Sequence, residues 1–407
     1  MSGDNILGTR DGDTRAGGPG PHHGGAAADV PLDSRAGTGT ARTGTPDAAE
    51  PLLRVRGLTV TLPRAGREIR LVDGVDLDVR PGEVLGIAGE SGSGKTVTGM
   101  TLVGLGPDRA SVTGSVRFDG RELVGLPDKE WGRIRGRDIA VVFQDPSSAL
   151  HPMLTVGRQI TDHVRHHQGI GRKQAAARAT ELLDLVRIPG GASAAARYPH
   201  QFSGGMRQRI AIASALACGP RLLIADEPTT ALDVTVQAGI VELLDELRRE
   251  TGMAVVMVTH DLGVLSSVAD RISVFYSGRV IETGTVGEVI GAPQHPYTRG
   301  LLRALPHASL GERSAVGHAV PLRPIPGSAP AADAPVSGCP FHPRCSSAVG
   351  GCDRTRPVPV TIGPARTVAC VLAEPGAARP ADALSAPGAG LTAEAAATVT
   401  VTARRKA

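Results

Sequence analysis

The sequence predicts an α/β fold with a parallel sheet, and two observations support this prediction. Four short apolar runs have the length of buried strands, at residues 84–88, 139–143, 221–225 and 254–258. The stretches between them are mostly helical in pattern, for example 95–105, 173–186 and a stripe made of Val236, Ile240, Leu243, Leu244 and Leu247. Strands that alternate with helices are typical of an α/β core.

The regions around this core are predicted from changes in period and composition. Apolar residues alternate over 53–62 and again over 75–79, which predicts antiparallel strands before the core. We expect a core at 52–290 with a helical insertion at about 146–208, and then a smaller appended domain at 291–372, where Pro and Gly rise. Residues 1–51 and 373–407 have little apolar periodicity and are predicted to be a disordered leader and tail.

The overall composition excludes several classes of protein. The 407 residues are 41% apolar and 21% charged, which is ordinary for a soluble protein, and the longest apolar runs are far shorter than the ~18–20 residues that span a bilayer. The net charge is +4, but only four of the 44 basic residues are Lys, and the enrichment of Arg with Ala and Gly is attributable to codon bias. We therefore expect a soluble, intracellular protein without a nucleic-acid partner.

A glycine-rich segment follows the first apolar run and opens a helical stretch. It fits the pattern GxxxxGK[ST] with Gly89, Glu90, Ser91, Gly92, Ser93, Gly94, Lys95 and Thr96. The glycines allow backbone N–H groups to converge on phosphate oxygens, Lys95 would reach the β- and γ-phosphates, and the Thr96 hydroxyl would bind Mg²⁺. The alternative is a simple Gly/Ser-rich turn, which the strand–loop–helix context disfavours.

Polar residues end three of the other predicted strands. Asp226 and Glu227 follow 221–225, where Asp226 would hold Mg²⁺ through water and Glu227 would polarise the attacking water. Gln144 and His260 end the other two strands and would lie at the same sheet edge, beside the γ-phosphate. Asp233 precedes a helical stripe, so that it has a second interpretation as a helix N-cap.

A second candidate anion site lies at Ser203, Gly204 and Gly205, at the start of another helix. A monomer cannot easily bring two such sites to one γ-phosphate. This segment therefore predicts a partner subunit.

In their order along the chain, these motifs resemble those of the nucleotide-binding subunits of ABC transporters over roughly residues 52–290. The resemblance implies a P-loop NTPase with a RecA-like core, an antiparallel β subdomain and a helical subdomain. It implies that two subunits enclose two ATP molecules, each between the phosphate loop of one subunit and the Ser203–Gly205 signature of the other. It also assigns Gln144 to Mg²⁺ and water positioning, Ala231, Leu232 and Asp233 to the D-loop, and His260 to the switch position.

The C-terminal part resembles the oligopeptide/dipeptide and nickel importer branch of that family. The segments that carry this likeness are 295–302, 325–328 and 338–345, together with a permease-facing segment at 145–157, in which His151 replaces the usual Asn. The likeness implies two transmembrane permease subunits, an extracytoplasmic substrate-binding protein and a peripheral place on the cytoplasmic face of the membrane. Met206 is typical of one of two paired ATPase types, so that a heterodimer is expected.

The region expected to bind adenine differs from that of many relatives. No Phe, Tyr or Trp lies between residues 52 and 117, where an aromatic ring often stacks on the base. Leu62 stands about where that ring is expected, and Arg64 or Arg67 could stack instead. We expect weak discrimination between ATP and GTP.

Four of the five cysteines lie close together in sequence: Cys339, Cys345, Cys352 and Cys370. Four thiolates suit an iron–sulfur cluster, and the resemblance implies a [4Fe–4S] cluster here; zinc and unligated thiols stay open. Cys218 stands apart and is interpreted as a small apolar residue in a helix.

The function predicted from the sequence is ATP hydrolysis that energises a peptide importer. Nickel or another solute stays open as cargo, because the ATPase does not touch it. A soluble ABC ATPase acting on ribosomes or DNA is the other alternative. Such proteins usually carry two ATPase domains or a long coiled coil, whereas this chain has one motif set and no heptad run.

Overall fold

The computed structural model describes residues 50–64, 66–230, 232–305, 324–334 and 336–373. The predicted disordered leader and tail fall almost entirely outside these residues, as does Ala231. Among the described residues, no helix is both long and apolar enough to cross a membrane.

Two sheets organise the chain. Their strands are β1 Leu53–Arg64, β2 Arg67–Val79, β3 Val84–Ala88, β4 Ser111–Phe118, β5 Arg121–Glu122, β6 Ile139–Val142, β7 Leu222–Asp226, β8 Ala254–Val258, β9 Arg271–Tyr276, β10 Arg279–Thr285, β11 Val360–Gly363 and β12 Arg366–Val368. The helices are α1 Lys95–Thr101, α2 Asp128–Ile134, α3 Pro146–Ala149, α4 Val156–Gln168, α5 Arg172–Leu185, α6 Gly191–Ala195, α7 Gly204–Ala215, α8 Val234–Thr251, α9 Leu262–Val268 and α10 Pro296–Ala304.

The larger sheet has the order β11-β12-β10-β9-β3-β8-β7-β6. Strands β9, β3, β8, β7 and β6 are parallel to one another, which confirms the predicted α/β core and all four of its predicted strands. β3, β7 and β8 are buried along their whole length, because both faces of the sheet are covered. The carboxyl ends of β6, β7 and β8 lie at one edge.

The smaller sheet, β2-β1-β4-β5, is antiparallel, as predicted for its first two strands. It packs on one face of the larger sheet, where Leu85 and Ile87 of β3 contribute to a shared core with Val55 and Val72. Helices α8 and α9 cover the opposite face, where Ile240 and Leu265 share a second core with Val84 and Ala88. Each fully buried aliphatic side chain contributes about 1.5–3 kcal/mol to stability, so that these two layers hold β3 in place.

The segment 146–208 is largely helical, and its bounds as a separate subdomain stay a prediction. It contains α3 to α6, and α7 begins at Gly204 near its end. Ile160 and Val164 of α4 and Leu182 and Leu183 of α5 are buried against the core. Ile210 and Ile212 of α7 lie in the same core.

The C-terminal extension continues the larger sheet. β12 pairs antiparallel with β10, and β11 pairs with β12. A buried ion pair joins Arg366 of β12 to the fully buried Glu282 of β10 at 2.9 Å. The described part of the chain belongs to one compact unit, and the boundary at 290/291 stays a prediction.

Candidate active site

The loop after β3 adopts the backbone that its glycines permit. Gly89, Gly92 and Gly94 have φ of +150°, +76° and +97°. A Cβ at Gly89 would lie 2.4 Å from the Phe275 carbonyl oxygen, and one at Gly94 would lie 2.8 Å from that of Leu71. Only glycine fits at these two positions, since both the conformation and the neighbouring backbone exclude a side chain.

Lys95 is buried at the foot of this loop. Its Nζ donates hydrogen bonds to the carbonyl oxygens of Gly89 at 2.8 Å and Glu90 at 2.9 Å. Burial lowers the pKa of Lys95, and the nearby carboxylates of Glu227, Asp226 and Glu90 partly offset this. The ammonium group is thus held within the loop that the sequence predicts to bind phosphate.

Thr96 and Asp226 meet although they are 130 residues apart. The Thr96 hydroxyl donates to Asp226 Oδ1 at 3.1 Å. Burial raises the pKa of Asp226, and the hydrogen bond from Thr96 partly counteracts it. Two oxygen ligands side by side fit Mg²⁺, which binds through one or two protein groups plus phosphate and water.

Glu227 is the centre of a polar cluster at the carboxyl ends of β6, β7 and β8. Its carboxylate accepts hydrogen bonds from Gln144 Nε2 at 3.0 Å and Thr230 Oγ1 at 2.9 Å, and His260 Nδ1 lies 3.4 Å away. The backbone of Glu227 has φ +46° and donates its N–H to the Val258 carbonyl oxygen at 2.8 Å. This conformation costs about 1–3 kcal/mol for a non-glycine residue and aims the carboxylate at its partners.

The structure therefore brings Gln144, Glu227 and His260 together, as the sequence predicts. The Gln144 amide nitrogen is bonded to Glu227, and the role of the Gln144 amide oxygen as a Mg²⁺ ligand stays a prediction. Thr230 is a member of the cluster that the sequence analysis did not single out. The only sequence signal is a hydroxyl three residues after Glu227, and its meaning depends on the turn that follows β7.

The predicted signature residues begin α7. Ser203 is the N-cap, where its hydroxyl accepts from the Met206 N–H at 3.4 Å, and both Ser203 and Gly204 are exposed. Asp233 is the N-cap of α8 and accepts from the Val236 N–H at 3.0 Å, so that its interpretation as a helix cap is confirmed. A Cβ at Gly205 would lie 2.6 Å from Val236 Cγ1, and so the starts of α7 and α8 are in close contact.

The four clustered cysteines line one small cavity together with His295 and His342. Burial raises the pKa of Cys339 and of Cys345, and neighbouring cysteines add to the effect. Within the described ranges, however, no group of three or more His, Cys, Asp or Glu residues is arranged to hold a metal ion. The structure thus gives no support for the expected [4Fe–4S] cluster at Cys339, Cys345, Cys352 and Cys370.

Cys218 differs slightly from its prediction. It lies in a turn just after α7 rather than in a helix. Burial raises its pKa to about 11, so that the thiol stays protonated and acts as a small apolar group.

A phosphate loop, a buried Asp beside a Thr hydroxyl, and a Glu held by Gln and His define a P-loop nucleoside triphosphatase. Family comparison identifies the group. Residues 72–230 match the ABC transporter family, and residues 281–352 match the oligopeptide/dipeptide transporter C-terminal region. The chain belongs to the ABC transporter ATPases that carry this C-terminal region, and it is an ATPase that uses ATP and Mg²⁺.

Similar proteins cover most of the chain. The dipeptide transport ATP-binding protein DppD of Bacillus subtilis (strain 168) is 45% identical over 79% of this chain and 95% of its own length. The oligopeptide transport ATP-binding protein OppD of Salmonella typhimurium (strain LT2) is 42% identical over 81% of this chain and 96% of its own length. Among solved structures, the dimeric post-hydrolysis state of the cassette MJ0796 bound to ADP and Pi superposes with a TM-score of 0.52. It is 32% identical and covers 57% of this chain and 98% of its own.

Proposed function

We propose that this chain is the ATP-hydrolysing subunit of an importer for di- and oligopeptides. The observation that carries the proposal is the C-terminal region at 281–352, which matches that of oligopeptide and dipeptide transporters, and the relatives are named for peptide transport. Nickel or another solute stays an alternative cargo. The test is to measure which solutes the associated binding protein retains: retention of peptides supports the proposal, and retention of nickel alone contradicts it.

The proposed roles of the site residues follow from their contacts. Lys95 and the backbone N–H groups of residues 89–96 bind the phosphates of ATP. Thr96, Asp226 and Gln144 would hold Mg²⁺, which would supply charge neutralisation at the transferring phosphate. Glu227 accepts a hydrogen bond from the attacking water and polarises it, while Gln144, Thr230 and His260 orient the carboxylate.

A second ATPase subunit would complete the site. Ser203, Gly204 and Gly205 are proposed to bind the ATP held by that partner, with Asp233 at the same interface. Support comes from the exposure of Ser203 and Gly204 and from Met206, which is typical of one of two paired ATPase types. Hydrolysis by the purified chain, alone and after addition of the second ATPase, tests this: a large increase on mixing supports a heterodimer, and full activity and transport with this chain alone contradict it.

The permease subunits are proposed to dock on a groove beside β6. Apolar side chains line it, among them Leu105 and Phe143, which are 42% and 39% exposed, and the neighbouring Met153 is 76% exposed. The groove adjoins the segment 145–157, which begins next to Gln144. A cytoplasmic permease helix would therefore contact residues that directly follow Gln144, which is bonded to Glu227. The chain would lie peripherally on the cytoplasmic face of the membrane.

The iron–sulfur cluster stays a prediction. The four cysteines line one cavity, but no metal-binding arrangement occurs among the described residues. Iron and acid-labile sulfide can be measured in protein purified without oxygen. About four of each per chain would support the cluster, and a colourless, iron-free protein would contradict it.

A further inference from the structure

The C-terminal extension contacts the phosphate loop at Glu90. Arg344 binds the carboxylate of Glu90 with both terminal nitrogens, Nη1 to Oε2 at 2.8 Å and Nη2 to Oε1 at 3.0 Å. The side chain of Arg344 is only 7% exposed and that of Glu90 is 29% exposed. The pair is therefore largely shielded from solvent. In such surroundings a bidentate ion pair is strong and geometrically specific.

The extension also holds the backbone of Glu90. The Glu90 N–H donates to Tyr297 Oη at 2.9 Å, and Tyr297 of α10 is fully buried. The Glu90 carbonyl oxygen accepts from Lys95 Nζ at 2.9 Å. Three groups of this one loop residue are thus fixed, two by the extension and one by the phosphate-binding lysine.

Arg344 is itself held firmly in its position. Its Nε donates to the Pro326 carbonyl oxygen at 2.9 Å, and its Nη1 lies 3.3 Å from Tyr276 Oη. Tyr276, Tyr297 and Phe341 pack around it with ring centroids 4.6–5.3 Å apart. A guanidinium with this many partners is pre-organised, so that it can set the position of Glu90 rather than follow it.

The Arg344–Glu90 ion pair affects phosphate binding through its charge. A carboxylate in a loop that binds polyphosphate repels the ligand, and the repulsion is strong where solvent is partly excluded. The Arg344 guanidinium neutralises Glu90 and draws its carboxylate to the side of the extension. Loss of Arg344 would leave an unpaired anion in the phosphate loop.

We propose that Arg344 is a positioning residue of the ATP site, by which the C-terminal extension sets the shape and charge of the phosphate loop. It acts through Glu90 and does not touch the reacting atoms. The inference rests on ATP binding by this family and is independent of the cargo and of the permease.

The experiment measures the Kd of MgATP and the KM and kcat of hydrolysis for the full chain, in the presence of the second ATPase for the kinetics. Arg344→Gln is expected to raise Kd and KM about tenfold or more with little change in kcat, since the Glu227 cluster is untouched. The double variant Glu90→Gln/Arg344→Gln is expected to recover most of the affinity, because the unpaired charge is gone. Arg354→Gln is the control: Arg354 lies in the same extension with its side chain 80% exposed.

The recovery by Glu90→Gln separates positioning from simple packing. A structural defect in the extension would persist in the double variant, whereas a charge defect would not. If Arg344→Gln fails to fold, Arg344→Met with and without Glu90→Gln provides the same comparison, because Met also removes the charge and is a long side chain suited to the surrounding aromatic rings. An Arg344→Gln Kd within twofold of the wild type, or a double variant as weak as the single one, would overturn the inference. Failure of the wild type to bind ATP would instead contradict the proposed function.

Discussion

The side-chain amide of Gln144 donates a 3.0 Å hydrogen bond to the carboxylate of Glu227, across 83 residues of chain. Gln144 also adjoins the groove and the segment 145–157 that are proposed to contact the permease. A movement of the permease would therefore displace Gln144 and, through its hydrogen bond, the carboxylate of Glu227. This contact would link the proposed docking surface to the hydrolytic site.

Glu227→Gln is expected to leave the Kd of MgATP within about threefold of the wild type and to lower kcat by ~10²–10⁴-fold, the contribution expected of a general base. The amide keeps the size of the side chain but cannot polarise water as a carboxylate does. Equilibrium binding and steady-state phosphate release measure the two effects. Hydrolysis at more than a tenth of the wild-type rate would refute the role of Glu227.

Thr230→Val is expected to lower kcat by about tenfold without changing the Kd of MgATP. The change removes the hydroxyl that donates to Glu227 Oε2 while keeping the shape of the side chain, so the carboxylate is less well oriented. Thr361→Val in β11 is a matched control. An unchanged kcat would show that Thr230 has no part in orienting Glu227.

Asp226→Asn is expected to stabilise the Mg²⁺-free protein at neutral pH while abolishing Mg²⁺-dependent hydrolysis. Burial raises the pKa of Asp226 in the folded state, so the ionised carboxylate opposes folding once the pH exceeds that pKa. Stability from this group is present below its unfolded pKa of about 4 and is lost as the pH rises through the folded pKa. Thermal unfolding at pH 4 and pH 8 should show the advantage of Asn only at the higher pH, and an equal advantage at both would contradict this explanation.

GTP is expected to bind with a Kd within a few-fold of that of ATP. Leu62, Arg64 and Arg67 lie on the β1–β2 hairpin, where Arg64 pairs with Arg67 and both are exposed. Loss of an aromatic stack removes about 1–3 kcal/mol of base binding, by analogy with other stacked bases. A strong preference for ATP in competition binding would count against this prediction.

Met153→Asp is expected to weaken association with the permease subunits at least tenfold while leaving ATP hydrolysis by the soluble protein unchanged. A charge in the middle of an apolar contact must lose its solvation on docking. Val358→Asp, at a residue 71% exposed in the extension, is the control. Equal co-purification of the permease with both variants would place the docking surface elsewhere.

Local patterns were sufficient for the strands of the core, because apolar runs such as 84–88 and 254–258 are buried on both faces and need no long-range information. They also predicted that Gln144, Glu227 and His260 would meet, since the carboxyl ends of neighbouring parallel strands share one edge. The pairing of Arg344 with Glu90 was not predictable, because the two residues are 254 positions apart and neither has a local signal. The same holds for the pairing of β12 with β10, which joins the extension to the core sheet.

The most direct test is uptake of labelled di- and oligopeptides by vesicles that contain the permease subunits, the second ATPase, this chain and the binding protein. We expect uptake that requires ATP, that stops when this chain is omitted, and that unlabelled peptide but not nickel competes away. Peptide uptake at the same rate without this chain would contradict its role, as would ATP-driven uptake of nickel with no uptake of peptide.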